Sequence, residues 1–277
     1  MKVVEHYCID FDANLKLLLD REKIKYEYYI ENCALGWHKL VFDLKRAPND
    51  MSLYNQIPYE PSCSWYEYSD KELSQAKWLT FRTTTPKLNI VDDSAIAYTC
   101  TYTREVRGEL REFGKHQRQV KPFALRPVKW KPKNHVYSAY YSDCYVFCDD
   151  HVKDLIKGQG FSGIDFGPVY KGKTADLLEN VSQIFINEVI PNEALILPSN
   201  AKHIICPFCK KTSYEWHSKC ILGVKEEYLK PEFDFCRTET VFSGRDCALW
   251  LVSQKVYSFF KENELLRGLV FEPVVMY

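Results

Sequence analysis

The stretch DCYVFCDDHVKDLIKGQGFSGIDFGPV, residues 143–169, decides how this chain is read, because it returns at residues 248–274 as ALWLVSQKVYSFFKENELLRGLVFEPV. Laid over one another without a gap, Gly163, Phe166, Pro168 and Val169 fall on Gly268, Phe271, Pro273 and Val274. Apolar residues meet apolar ones at Tyr145/Trp250, Val146/Leu251, Phe147/Val252, Val152/Tyr257, Leu155/Phe260 and Ile164/Leu269. Each copy reads as a short apolar strand, a polar capping position, a helix of about ten residues, a glycine turn and a second strand ending at proline. Ser253 is the expected N-cap of the second copy, its hydroxyl accepting from a free amide of the first turn; in the first copy Asp149 would serve, one position later. Val152, Leu155 and Ile156, and likewise Val256, Phe259 and Phe260, share one helical face at i, i+3, i+4. The expectation is a duplicated strand–helix–strand unit in an α+β protein of mixed sheets and short helices.

Composition bounds the rest. The 277 residues suggest about two domains, or one large one, with an ample core. Lys and Arg number 37, as do Asp and Glu, so bulk charge points to no polyanion, membrane surface or acidic tail as partner. No apolar run approaches the ~20 residues of a membrane span, and the opening Met-Lys-Val-Val-Glu-His lacks the apolar core of a signal peptide. Eleven cysteines, an odd number scattered among apolar neighbours, fit buried thiols in a reducing cytoplasm.

Along the chain, Asn14–Lys25 reads as a helix, with Leu15, Leu18 and Leu19 on one face and Asp12 near its start, and Lys39–Leu44 as a strand. Residues 47–68 read as an aromatic loop pinned to the core by its rings. Ser69–Thr80 reads as a helix, followed by strands at Thr80–Thr85, Lys87–Val91 and Ala95–Arg104. Arg104–Lys133 holds ten Lys/Arg against three Glu, with Pro122, Pro127 and Pro132 behind. Phe123 and Trp130 stand among the basic residues, a pattern open to a nucleic-acid backbone, but a solvated linker suits the neutral whole chain better. That composition shift places a domain boundary at 120–135, with an N-terminal α+β region over 1–134 and a C-terminal region over 135–277.

Gly167-Pro-Val-Tyr-Lys-Gly172-Lys173-Thr174 satisfies the phosphate-loop pattern G-x-x-x-x-G-K-T, follows the strand candidate Ile164–Phe166 and precedes Ala175–Ile186, which could be helical. Against it, the first half belongs to the repeated strand, Pro168 and Val169 are bulky where amides must face phosphates, and no later strand ends in a magnesium-holding Asp. Nucleotide binding through this loop is therefore the alternative reading.

Cys206-Pro-Phe-Cys209, in a segment 200–222 inserted between the two copies, is the stronger signal. Two cysteines at C-x-x-C form half of a zinc knuckle, in which a tight turn aims both thiolates at one ion while amides donate to the sulfurs. His217 and Cys220 follow closely enough to complete a structural Zn2+ site, with Cys236, Cys247 and His203 in reserve. Cys8, Cys33, Cys63, Cys100, Cys144 and Cys148 lack ligand spacing, and Cys144 and Cys148 read as core. His38, His116, His135 and His151 read as surface or satisfied core groups. No G-x-S-x-G or H-E-x-x-H is present.

The order of these features matters. A C-x-x-C, then Pro231-Glu-Phe-Asp-Phe-Cys-Arg-Thr, a strand running into Ser253, a helix and the closing Gly268-Leu-Val-Phe-Glu-Pro-Val resembles the C-terminal half of the double-CXXCG-motif family, bacterial immunity proteins of polymorphic toxin systems. The resemblance covers about residues 140–277. It implies a non-catalytic, cytoplasmic protein that binds and neutralises a cognate toxin protein. Two departures stand out: the glycine after the C-x-x-C is Lys210, and the family's N-terminal C-x-x-C is missing, with only Cys33 in that region. If the family's two knuckles share one ion, this chain must replace one pair of ligands. A zinc-stabilised adaptor without a toxin partner is a further alternative.

Overall fold

The computed structural model describes residues 1–10, 12–30, 38–47, 50–59, 62–84, 86–106, 109–139, 142–172, 174, 176–197, 203–214, 222–242 and 247–277. They form an α+β protein of mixed sheets with few, short helices. None of the described helices is long and apolar enough to cross a membrane.

Two compact units divide at Glu72/Leu73. In the first, Lys2–Asp10 lies between His38–Arg46 and Cys63–Glu67 in a four-stranded antiparallel sheet edged by Tyr26–Ile30. Helix α1 (Ala13–Arg21) begins at Asp12, whose carboxylate accepts from the amides of Asn14 and Leu15. That cap satisfies two of the four orphan N–H groups of the first turn. Leu15 and Leu19 then sink into a core with Tyr7, Leu40, Phe42 and Leu44, where the Tyr7 and Phe42 rings stack at 4.7 Å. Behind the strand, fully buried Glu5 is paired with Arg46 at 2.9 Å.

The division does not coincide with the expected boundary at 120–135. Strands from both sides of that stretch pair in one sheet: Pro86–Leu88 lies parallel to Val136–Ala139. The basic segment expected as a linker is instead half of a long hairpin, Ile96–Val106 with Glu109–Gln119. The helix expected over Ser69–Thr80 is cut to α2 (Asp70–Gln75), because Trp78–Thr83 is taken up as a buried central strand. Its burial outweighs a helical preference worth only tenths of a kcal/mol per residue.

The duplication is visible in three dimensions. In the first copy, Ser142–Cys148 leads into helix α3 (Asp150–Gln159) and then Ile164–Gly167, with Ser182–Ile186 lying antiparallel between the two strands. In the second, Cys247–Ser253 leads into helix α4 (Gln254–Glu262) and Leu269–Pro273, with Trp78–Thr83 in the same middle position. Each leading strand also pairs antiparallel with the strand before it, Val136–Ala139 or Phe235–Phe242. The arrangements match, but the central strand of the first copy comes after its exit strand, whereas that of the second comes from far upstream.

The gap-free superposition is out by one residue over the strand and helix. Asp149 caps α3 by accepting from the Val152 amide, and Ser253 caps α4 by accepting from the Val256 amide, an offset of 104. The same offset carries left-handed Gly160 onto left-handed Glu264, and Phe161 onto Leu265, both in the shared core. Gly163 and Gly268, at φ 77° and 79°, are offset by 105. The extra residue therefore lies at Leu266–Arg267. A one-residue slip in a strand turns every side chain to the opposite face. With the corrected offset Val146 and Cys148 match Trp250 and Val252 toward the shared core, while Phe147 and Leu251 point to separate clusters behind.

Both helices lie on that core, with Val152, Ile156, Val256 and Phe260 at or below 1% exposure. Gly163 is fixed twice over, by its positive φ and by the Phe235 carbonyl oxygen 1.9 Å from where a Cβ would stand. Gly158, exposed inside α3, has nothing within 4 Å of that position. We therefore expect Gly163→Ala to cost on the order of 3 kcal/mol in urea unfolding. Gly158→Ala should instead add about 0.5–1 kcal/mol, as an unhindered helix-interior replacement does.

Candidate metal centre

Four ligand atoms from two hairpins converge in the second unit. The first hairpin is the long one. Its ladder is bulged on one strand at Thr99 and on the other at Lys115, because Tyr98 pairs with Gln117, Cys100 with His116, and Thr101 with Gly114. Bulges re-aim side chains, and these two box in the single pair Cys100/His116. Directly opposed residues share a face with Cβ atoms about 5 Å apart, close enough to ligate one ion. Thr99 Oγ1 closes the bulge by donating to the His116 carbonyl at 3.1 Å.

The second hairpin joins His203–Ile205 to Thr212–Tyr214 through the Cys206–Cys209 turn. The Cys206 N–H donates to the Lys211 carbonyl and the Lys210 N–H to the Cys206 carbonyl, at 2.9 and 3.0 Å. Lys210 closes the turn in the left-handed region, at φ 60°. A lysine held there costs some stability, typically about 1 kcal/mol relative to glycine. Its ammonium group returns to the Pro207 carbonyl at 2.8 Å.

At the meeting point, the Cys100, Cys206 and Cys209 sulfurs and a His116 ring nitrogen all lie within 4.8 Å of one another. The Cys206 and Cys209 sulfurs are 3.6 and 3.9 Å from that of Cys100, far beyond the ~2.05 Å of a disulfide. His116 Nδ1 stands 2.9 Å from Cys100 Sγ and 3.0 Å from Cys209 Sγ, while its Nε2 faces Ser213 Oγ at 3.3 Å. An outer hydrogen bond of that kind fixes which ring nitrogen is turned to an ion. Cys100, His116 and Cys206 are buried, and Cys209 is partly so. These residues can hold a metal ion.

The electrostatics lean the same way. The Cys209 amide, with that of Phe208, donates to Cys206 sulfur and lowers its pKa to about 6 against the opposing effect of burial. Burial pushes Cys100 up to about 11, reinforced by its contact with Cys206. Three sulfurs this close cannot all carry charge unless a cation joins them.

Cys206 and Cys209 thus stand together as the C-x-x-C spacing predicts. His217 and Cys220, the ligands expected to complete the set, lie outside the described residues, as does Cys33. Of the reserves, Cys236 is a fully buried thiol whose pKa is driven up to about 12 by desolvation, and it belongs to the apolar cluster around Trp78 and Leu251. The side chains of His203 and Cys247 fall outside the description. Cys100, which lacks ligand spacing in the sequence, and His116, a buried and hydrogen-bonded core histidine, stand with Cys206 and Cys209 in the cluster that could hold a metal ion.

The phosphate-loop pattern is not continued by a helix. After Gly167 the chain forms the short strand Tyr170–Lys171, Thr174 turns back to donate its hydroxyl to the Lys171 carbonyl, and the stretch expected to be helical contains the strand Ser182–Ile186. Gly167 is small because the Phe185 ring lies 2.4 Å from where its Cβ would be. Lys173 lies outside the described residues.

No protein-family model matches this chain, and no curated protein matches it either.

Cobalt-substituted protein should show thiolate-to-metal absorption that Cys100→Ser, Cys206→Ser and Cys209→Ser each weaken and His116→Ala shifts. His217→Ala, Cys220→Ser and Cys236→Ser should leave it unchanged. Loading should also release protons, because burial holds Cys100 as the neutral thiol whereas an ion binds the thiolate. Affinity should therefore fall as pH falls, and calorimetric heats should vary with the buffer's ionisation enthalpy.

Proposed function

We propose that Cys100, His116, Cys206 and Cys209 hold one structural Zn2+, and that the chain is a non-catalytic immunity protein that binds and neutralises a cognate toxin in the cytoplasm. The observation that carries the metal half is the donor set. Zn–S near ~2.3 Å and Zn–N near ~2.0 Å give tetrahedral edges of roughly 3.8 Å between sulfurs and 3.5 Å between sulfur and nitrogen. The sulfur separations of 3.6 and 3.9 Å bracket the first value, and the nitrogen sits somewhat inside the second. Four protein ligands close the tetrahedron, whereas a catalytic zinc keeps a position for water or substrate.

The toxin half rests on the resemblance alone. A family pattern of two C-x-x-C pairs lacks its N-terminal pair here. Cys100 and His116 supply two further ligands to the remaining pair, so one shared ion needs no second knuckle. A rigid scaffold of this kind leaves specificity to its loops.

The test is a pull-down with the product of the neighbouring gene. A one-to-one complex that silences a toxic activity is the expected result. Bound nucleotide or substrate turnover in the purified chain, with no such complex, would contradict it. Because the zinc is structural, Cys100→Ser should lower Tm by roughly 10 °C while the folded variant still binds the toxin at low temperature.

A further inference from the structure

Outside the metal cluster, the second unit contains an open cavity of about 750 Å3, within the size range of small-molecule sites. It is walled by the long hairpin just past His116, the central strand of the first copy, and the leading strands of the second, with Lys211 of the knuckle hairpin among its lining residues. The hairpin wall is stiffened by Gln119 and buried Gln183, whose amides exchange hydrogen bonds at 2.9 and 2.6 Å.

Arg237 stands half-buried in this cavity. Its Nε donates to the Ile186 carbonyl at 3.1 Å and its backbone N–H to the Glu188 carbonyl at 2.9 Å, which fix the side chain and strand. Neither Nη group has an acceptor among the described residues, and no carboxylate there lies within ion-pairing distance of the guanidinium. Glu239, two residues along the strand, accepts instead from the Asn192 amide at 3.3 Å. Burial lowers the Arg237 pKa, yet a guanidinium keeps its proton under all ordinary conditions. The charge is thus partly desolvated, with the Glu239 carboxylate acting on it only from beyond ion-pairing distance, and an anion at the two Nη groups would offset that cost with bidentate geometry. Arg118 adds a second guanidinium to the lining.

The cavity also has ring walls. Phe185, seated over Gly167, and Trp250, which stacks on Phe81 at 5.9 Å, are both half-exposed lining residues. We propose that this cavity binds a small organic anion, a phosphate or carboxylate carried on an aromatic body, with Arg237 as its anchor. The proposal stands apart from the toxin reading and does not need it.

The experiment is isothermal titration of the metal-loaded full chain with phenyl phosphate, benzoate and inorganic phosphate at constant ionic strength. Saturable one-site binding of phenyl phosphate or benzoate is expected, the tighter of the two naming the anion, with inorganic phosphate weaker than phenyl phosphate. Arg237→Met should weaken binding roughly 10-fold or more with Tm and metal content retained, and Arg237→Lys should restore part of it. The surface change Arg118→Ala, which cannot disturb the core, should weaken it roughly threefold. Unchanged affinity in Arg237→Met, or no saturable binding of any of the three probes, overturns the proposal.

Discussion

Three thiols and an imidazole held within 4.8 Å form the constraint on which this half of the molecule turns. Left to themselves, such groups compete for protons: Cys206 is drawn toward thiolate by amides of its own turn, while burial keeps Cys100 neutral. A cation changes that competition into mutual support. It would also tie together two hairpins that share no described ladder at the site, the Cys206–Cys209 turn and the doubly bulged strands around Cys100 and His116. Hairpins are marginal alone, so the gain from a shared ion lands where the local structure is weakest.

The duplicated unit provides the frame against which those hairpins are set. Both helices, both leading strands and both exit strands feed one apolar core. The second copy reaches upstream for its central strand, Trp78–Thr83, so its five-residue exit strand is completed by a segment nearly 200 residues away in sequence. Pairing across that separation makes the second unit depend on both ends of its own chain. Its cost in loop-closure entropy grows only slowly with length.

Much of this was legible in the sequence. Caps at Asp149 and Ser253 and the helical faces of α3 and α4 follow from local chemistry, which the sequence displays directly. The one-residue offset between copies was hinted at by the position of Asp149, and only the pairing with the central strands decides it. The knuckle was legible because C-x-x-C is a local spacing. The pair Cys100/His116 was not, because its proximity depends on a hairpin register altered by two compensating bulges. The Arg107-Gly108 dipeptide between strand-like runs was the available signal, since X-Gly between such runs favours a hairpin. The basic composition around it pointed to a linker, and the periodicity that would have argued otherwise is broken at Thr99 and Lys115.

The central claim is one ion held by Cys100, His116, Cys206 and Cys209. X-ray absorption at the zinc edge of the purified full-length chain tests it most directly. The account predicts about one zinc per chain with a first shell of three sulfurs near ~2.3 Å and one nitrogen near ~2.0 Å. A shell of two sulfurs with two nitrogen or oxygen neighbours, or a chain that binds no metal after reconstitution under reducing conditions, would contradict it.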